Sequence, residues 1–304
     1  MSKKRIVFMG TPEYADVILK RLMVEADFEV AAVYTQPDKP VGRKKVMTPP
    51  PVKVTAEEAE VPVHQPLSLK EEGVAEEIAS YAPDFIVVAA YGQILPRTIL
   101  DIAPCINLHA SLLPKYRGAS PIQEALLHGD KITGVTAMLM EEGLDSGPVL
   151  AWRVIPVSLH ERKSDLFDRL AEEAAALTPT VLRAFGTIRP LPQCDADATY
   201  CRKITRQDGL VSFEMNAMTL YNRFRAYEGW PGIYLESGLK LLDIEPDTGE
   251  GDPGKIVSIE EDGVTIACGD GAVRIKTVQP PSKKAMDIHS YLRGKRLKIA
   301  DLLV

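Results

Sequence analysis

Over roughly the first 190 residues, strand-like and helix-like patterns alternate, and this alternation restricts the fold more than any other feature. RIVFMG (5–10), DFIVVAA (84–90) and CINLHA (105–110) predict buried strands. After the first of them, apolar residues recur with helical spacing at Ala15, Ile18, Leu19 and Leu22. The stretch 164–185 predicts a long helix with Ser164 as its N-cap. Because parallel strands are usually joined by helices, the pattern predicts an α/β domain with a mostly parallel sheet.

Beyond this region the pattern changes to short strands with Gly and Asp turns about 8–12 residues apart. The predicted strands are LVSFEM, GIYLES, LKLLDIE, GKIVSIE, GVTIAC and AVRIKTV. This spacing is typical of a small barrel or sandwich, and we favour a five-stranded OB-like barrel. The helix AMTLYNRFRAY interrupts the set of strands, and the helix MDIHSYLRG closes it. We therefore predict three parts, a catalytic domain over 1–187, a linker over 188–206 and a barrel domain over 207–304.

Charge and composition exclude several classes of protein. A formal net charge of −6 argues against a general nucleic-acid coat, so any polyanion would have to meet local basic patches. One such patch lies in TQPDKPVGRKKVMTPPP (35–51), which we predict to be a long exposed loop. The four cysteines and five histidines lack metal-ligand spacing, so neither a metal nor a disulfide is expected. No apolar run reaches the length of a membrane helix, and MSKKRIVFMG is too weakly apolar for a signal peptide, so we expect a cytoplasmic protein.

Polar residues follow the pattern of the third strand, in CINLHASLLPKYRGASP. Asn107 and His109 are two residues apart, so in a strand they would project from the same face while Ile106 and Leu108 face the opposite side. Asp145, in EEGLDSG, supplies a carboxylate that could orient the imidazole. A carboxamide, an imidazole and a carboxylate together suit a reaction in which a nucleophile adds to a carbonyl.

Each of these residues also has an ordinary structural explanation. Asn at a strand end is often a turn residue, and Asp beside Gly often only forms a turn. Ser111 and Ser146 lie beside His109 and Asp145, which would suit a hydrolase, but no GxSxG elbow is present in the sequence. Gly10, in FMGTPEY, is not part of a GxGxxG motif, so a dinucleotide site is not supported.

Four segments together resemble the methionyl-tRNA formyltransferase family, namely FMGTPEYA, TQPDKPVGRKK, NLHASLLPKYRGASPI and GLDSGPV. The resemblance continues through KITRQDG, the RAYEGWPG segment around Trp230 and GDGAVRIKTVQPPSKKAM, so it covers nearly the whole chain. One departure is Ala110, where many members have Gly, and it leaves Asn107 and His109 in register.

The resemblance implies formyl transfer from 10-formyltetrahydrofolate to the α-amino group of methionyl initiator tRNA, without a metal. It implies a Rossmann-like formyltransferase domain followed by an OB-like domain. Asn107, His109 and Asp145 would be catalytic. The segment Ser111, Leu112, Leu113 and Pro114 would line the folate site. The basic loop with Arg43, Lys44 and Lys45 would contact the acceptor end of the tRNA, and the barrel would contact the tRNA body.

Two alternatives stay open at this point. A formyltransferase acting on a nucleotide-linked amino sugar or another small amine would use the same catalytic set, but such a substrate has no evident use for the basic loop. A nucleic-acid-binding module with an inert first domain would not need the paired Asn107 and His109. Since neither a coiled-coil seam nor an obvious apolar patch is evident in the sequence, a monomer is expected.

The basic loop generates the first testable prediction. Replacement of Arg43 with Ala should weaken the use of tRNA and leave the binding of the folate intact, because one phosphate contact is lost. The measurements are KM for charged tRNA and Kd for the folate, each over a range of salt concentrations. The slope of log affinity for tRNA against log salt should fall by about one for the lost contact. A tRNA affinity that does not depend on salt would contradict this assignment.

Overall fold

The structure is a computed structural model that describes residues 3–42 and 44–303. By the clustering of contacts the chain divides into two compact units. Residues 3–121, 132–156 and 166–201 form the first unit, and residues 122–131, 157–165 and 202–303 form the second. The first unit therefore includes much of the segment predicted as a linker, where contacts are made by Leu191, Gln193 and Tyr200–Cys201. The division into 1–187, 188–206 and 207–304 stays a prediction.

The elements up to the long helix alternate largely as predicted. They are β1 (Lys4–Gly10), α1 (Glu13–Val24), β2 (Phe28–Tyr34), β3 (Lys39–Val41), β4 (Val46–Thr48), α2 (Pro51–Glu58), β5 (Val63–His64), α3 (Val74–Ser80), β6 (Phe85–Ala89), α4 (Arg97–Leu100), β7 (Cys105–His109), β8 (Arg117–Gly118), α5 (Pro121–Leu127), β9 (Ile132–Leu139), β10 (Val149–Pro156) and α6 (Lys163–Ala184). Ser164 is the second residue of α6, so its prediction as the N-cap was wrong. Its backbone N–H and its hydroxyl both donate to Glu228 instead.

The remaining elements are β11 (Tyr200–Cys201), α7 (Ala217–Ala226), β12 (Ile233–Tyr234), β13 (Lys240–Asp247), β14 (Ile256–Glu260), β15 (Gly263–Ala267), β16 (Ala272–Gln279), β17 (Met286–Asp287) and α8 (Ile288–Lys295). Short 3-10 turns lie at Phe185–Thr187, Asp195–Asp197 and Arg206–Gly209. None of the helices in the described part of the chain is both long enough and apolar enough to cross a bilayer.

A seven-stranded sheet forms the centre of the first unit, in the order β10-β9-β7-β6-β1-β2-β5. The five strands from β7 to β5 are mutually parallel, and β9 and β10 are antiparallel to their neighbours. The predicted mostly parallel sheet is therefore confirmed. Strand order reverses between β1 and β6, and sheets of this kind bind their ligands at such a reversal.

The predicted helical stripe packs on this sheet. Ala15, Ile18, Leu19 and Leu22 of α1 are fully buried, as the spacing predicted. The four central strands are buried over almost their whole length, as expected for a parallel sheet covered on both faces. This packing holds the carboxyl ends of β1, β6 and β7 side by side.

Two predictions of local structure were wrong. The stretch 35–51 contains an exposed hairpin rather than only a loop, because β3 pairs with β4. LVSFEM (210–215) has no strand, although Val211 and Phe213 are buried alternately as a strand would bury them. Leu210 makes only an isolated bridge to Tyr234, and a turn follows. Alternating burial there reflects packing of an irregular segment.

In the second unit, β12, β13, β16, β15 and β14 form an antiparallel sheet in that order, and β17 pairs with β16. Helices α7 and α8 each begin at a capping side chain. The side chain of Asn216 accepts hydrogen bonds from backbone N–H groups of α7, and that of Asp287 accepts one from α8. An antiparallel C-terminal domain is confirmed, and its closure into an OB-like barrel stays a prediction.

The burial of the cysteines generates a prediction about their reactivity. Burial raises the pKa of the Cys105 thiol to about 12 and that of the Cys268 thiol to about 11, and Cys201 is also buried. Because thiol reagents react with the thiolate, which exists only near or above the pKa, these thiols should stay inert at about pH 8. Cys194 is exposed. With an aromatic disulfide as the thiol reagent, we expect one thiol to react rapidly in the native protein. After denaturation we expect all four thiols to react rapidly.

The control is Cys194→Ser, which should abolish the fast phase and leave three thiols after denaturation. Two or more fast thiols in the native protein would contradict the burial described here.

Candidate active site

Strand β7 places Asn107 and His109 on one face near its carboxyl end. Only 9% of Asn107 and 7% of His109 is exposed, and Ile106 and Leu108 are almost fully buried on the opposite face. Asn107 is paired in register with Val88 of β6 and Met138 of β9. The predicted shared face is confirmed, and it lies inside the molecule.

Asp145 meets both residues from the loop 140–148, which joins β9 to β10. The Asn107 Nδ2 atom donates to Asp145 Oδ1 over 3.3 Å. The His109 Nδ1 atom lies 3.7 Å from Asp145 Oδ2. The structure thus brings together the three side chains that the sequence singled out, across 38 residues of chain.

The proton on His109 is assigned by its other partner. His109 Nε2 lies 2.8 Å from the carbonyl oxygen of Tyr116. A carbonyl can only accept, so Nε2 carries the hydrogen and Nδ1, the nitrogen facing Asp145, holds a lone pair in the neutral ring. His109 can therefore take up a proton at Nδ1, next to a carboxylate that would stabilise the resulting cation.

A backbone group also holds the Asp145 carboxylate. The N–H of Gly118 donates to Asp145 Oδ2 over 2.8 Å. Gly118 has a φ of 118°, and a Cβ at this position would lie 2.2 Å from the carbonyl oxygen of Cys201. Only glycine permits this approach. Gly118 was not predicted from the sequence, although the glycine of KYRGASP was the available signal.

The segment predicted to line the folate site is partly internal. Ser111 is fully buried, and its hydroxyl donates to the carbonyl of Lys115 over 2.5 Å. Leu113 is buried with Met138 and Val149, whereas Leu112 and Pro114 are half-buried. With its hydroxyl committed and enclosed, Ser111 does not have the exposed position that a nucleophile of a hydrolase needs.

Two of the predicted tRNA-binding residues, Lys44 and Lys45, lie on the exposed hairpin of β3 and β4. Arg43 lies outside the residues that the structure describes, and Lys44 and Lys45 are exposed in the turn. At the base of the hairpin, Asp38 accepts from Lys53 and from Gln65. These bonds fix where the hairpin leaves the sheet.

Metal ligands were not expected from the sequence. Among residues 3–42 and 44–303, no group of three His, Cys, Asp or Glu side chains converges as metal ligands do.

The chain is similar to known proteins along nearly its whole length. Residues 4–182 match the family model described as formyl transferase, and residues 203–296 match that of the formyl transferase C-terminal domain. The chain is 56% identical to the methionyl-tRNA formyltransferase of a Nitratiruptor species, covering 98% of this chain and 99% of that protein. It is 54% identical to the methionyl-tRNA formyltransferase of Wolinella succinogenes, with the same coverage.

Solved structures share the fold at much lower identity. HypX from Aquifex aeolicus, in complex with tetrahydrofolic acid, has a TM-score of 0.62 at 20% identity over 96% of this chain. This chain spans 47% of the HypX chain. An N-formyltransferase from Helicobacter canadensis, in complex with folinic acid and dTDP-3-aminofucose, has a TM-score of 0.65 at 16% identity. It covers 90% of this chain and 99% of its own.

The backbone at Gly118 generates a prediction about stability. Gly118→Ala should lower the free energy of unfolding by about 1–3 kcal/mol or more, because a side chain is strained at this φ and its Cβ would overlap a carbonyl oxygen. Urea denaturation measures the change. The matched control is Gly186→Ala in the same unit, where an added Cβ meets nothing within 4 Å, and we expect a change within about 0.5 kcal/mol. Equal effects at both glycines would contradict the geometry at Gly118.

Proposed function

Because this chain belongs to the methionyl-tRNA formyltransferase family, we propose that Asn107, His109 and Asp145 are the catalytic residues of its formyl transfer. The enzyme transfers the formyl group of 10-formyltetrahydrofolate to the α-amino group of methionyl initiator tRNA. One observation carries the assignment of residues, namely that a carboxamide and an imidazole, both buried at the end of β7, meet one carboxylate.

The attacking group is the α-amino group of the methionyl ester. An α-amino group has a pKa of ~7.7–8.0 in peptides, and an ester lowers it, so a useful neutral fraction exists near neutral pH. The neutral amine attacks the formyl carbon directly. A new N–C bond forms, the bond from the formyl carbon to the folate nitrogen breaks, and a covalent formyl-enzyme is not needed.

His109 and Asp145 act together on the proton that the amine must lose. Nδ1 of His109 accepts it, because Nε2 is already engaged by the Tyr116 carbonyl. The resulting imidazolium lies beside the Asp145 carboxylate, which is 3.7 Å away. The protonated Nδ1 can then donate to the formyl oxygen or return the proton to the departing folate nitrogen.

Asn107 stabilises the negative charge that develops on the formyl oxygen. Its Nδ2 carries two hydrogens, and Asp145 accepts only one of them. The second can donate to the formyl oxygen without any transfer of a proton. Burial strengthens this interaction, since Asn107 is only 9% exposed.

The formyl group of the donor lies between a pterin ring and a benzoyl ring, and the faces of such rings can pack against apolar side chains. Leu113, Met138 and Val149 form a small apolar cluster, and Met138 is paired in register with Asn107. Its place beside Asn107 supports a folate site lined by the segment 111–114. Since the side chain of Ser111 is enclosed, we assign the side-chain contacts with the folate to Leu112 and Pro114. Leu113 forms part of the apolar wall of the folate site.

The tRNA meets basic residues in each unit. In the first unit, Lys44 and Lys45 of the hairpin contact the acceptor end, together with Arg43. In the second unit, an open cleft of about 560 Å³ beside α8 supports a contact with the tRNA body. Its charged or titratable lining residues are His289, Arg293, Arg296 and Lys298. We further propose that the enzyme is a monomer and acts in the cytoplasm, where initiator tRNA is charged.

A comparison of acceptors, each offered separately, tests this function. The protein is mixed with 10-formyltetrahydrofolate and one acceptor, and the release of tetrahydrofolate is followed by absorbance. We expect turnover with methionyl initiator tRNA, and none with uncharged initiator tRNA or with a dTDP-linked amino sugar. Turnover with the amino sugar instead would establish the small-amine alternative, and binding of tRNA without turnover would indicate a nucleic-acid-binding module.

Variants of the catalytic residues generate a further prediction. Asn107→Ala and His109→Ala should each lower kcat by about 10²–10³-fold, the range for loss of one group that stabilises developing charge. The matched control is His128→Ala, an exposed histidine just after α5, which should keep kcat within about twofold. Near-normal turnover of both active-site variants would refute the assignment.

A further inference from the structure

The loop that carries Asp145 needs an external support. Residues 141–144 of this loop are exposed, and Asp145 itself has a left-handed φ of 50°. An exposed loop of this kind moves easily unless other groups hold its backbone. The carboxylate must nevertheless stay within reach of both Asn107 and His109.

Gln193 provides a backbone contact on each side of the loop residue Ser146. Its Nε2 donates to the carbonyl oxygen of Asp145 over 2.8 Å and to that of Gly147 over 2.7 Å. One amide group therefore uses both of its hydrogens on the catalytic loop. Gln193 lies in the segment predicted to be a linker, 48 residues along the chain from Asp145.

Arg117 fixes the orientation of the Gln193 amide. Its Nε and Nη2 atoms both donate to Gln193 Oε1, over 3.0 and 2.9 Å. Arginine can only donate and the two loop carbonyls can only accept, so just one orientation of the amide satisfies all four bonds. Arg117 is itself only 2% exposed and is held by Asp195 and by the hydroxyl of Tyr200.

Three consecutive residues therefore act on the catalytic set by three different routes. The carbonyl of Tyr116 bonds His109, the side chain of Arg117 holds Gln193, and the N–H of Gly118 bonds the Asp145 carboxylate. The bonds from Tyr116 and Gly118 fix the orientations of the His109 ring and of the Asp145 carboxylate. The contact through Gln193 sets the backbone from which Asp145 projects.

We propose that Gln193, oriented by Arg117, is a positioning residue that holds the 140–148 loop so that the Asp145 carboxylate reaches Asn107 and His109. This inference rests on the proposed catalytic role of Asp145. Gln193 touches no reacting atom, so its effect should appear in the rate of the chemical step. Binding of either substrate should change little.

Two variants separate the contacts of Gln193. Gln193→Met has a similar volume and removes the bonds to Arg117 and to the loop. Gln193→Glu keeps an oxygen for Arg117 but turns an oxygen toward the two loop carbonyls, so it breaks only the contact with the loop. We expect each to lower kcat by about 10–100-fold, since displacements of about 1 Å in an active site have effects of this size. KM for methionyl-tRNA and for the formyl donor should stay within about twofold.

The control variant is Gln123→Met, at a half-buried glutamine of α5, which should keep wild-type kinetics. The melting temperature of each variant is measured, and kinetics are compared below the lowest transition. If Gln193→Met does not fold, Gln193→Glu still tests the proposal. If neither Gln193 variant folds, Arg117→Lys tests it, because lysine cannot make the two-point contact with Gln193.

A double-mutant cycle distinguishes positioning from general structural damage. In an Asp145→Ala background there is no carboxylate to place, so adding Gln193→Met should lower kcat no further. A purely structural role would lower kcat by the same factor in both backgrounds, and that result would overturn the proposal. Normal kcat in the single Gln193 variants would overturn it as well. A wild-type enzyme that does not formylate methionyl-tRNA would instead refute the proposed function itself.

Discussion

The carboxylate of Asp145 ties together the polar groups at the buried end of β7. It accepts from the side chain of Asn107 and from the backbone of Gly118, and it faces His109. A polar group that is buried without a partner costs about 1–3 kcal/mol. Moving Asp145 would therefore leave the buried amide of Asn107 without its acceptor, and it would leave a protonated His109 without the negative charge beside it.

The rest of the first unit explains how these groups can be buried and still chemically available. The parallel sheet presents the carboxyl ends of its strands at one edge, and β7 delivers two polar side chains there in the middle of an apolar core. Asp145 lies on a separate loop, so its position is less constrained than the positions of the two strand residues, which the sheet holds. Precise placement then requires further contacts, and the segment 116–118 together with Gln193 provides them.

Much of this arrangement could be predicted because it depends on local periodicity. The stripe Ala15, Ile18, Leu19 and Leu22 identified the buried face of α1, and the spacing of Asn107 and His109 identified their common face. Predictions failed where periodicity and backbone geometry differ, as in 210–215, where buried Val211 and Phe213 alternate without a strand. Gln193 could not be found, because a glutamine in a segment rich in proline and polar residues has no local signal of its distant partners.

The sequence by itself determined the alternating elements, the parallel sheet, the family resemblance and the identity of three polar residues, because side-chain direction repeats every two residues in a strand and about every 3.6 in a helix. Only the tertiary structure decided that Asp145 meets Asn107 at 3.3 Å, which nitrogen of His109 carries the hydrogen, and that Arg117 and Gln193 hold the loop. Those relations join residues far apart in the chain. They depend on how the strands and loops pack in three dimensions, which no short-range pattern specifies.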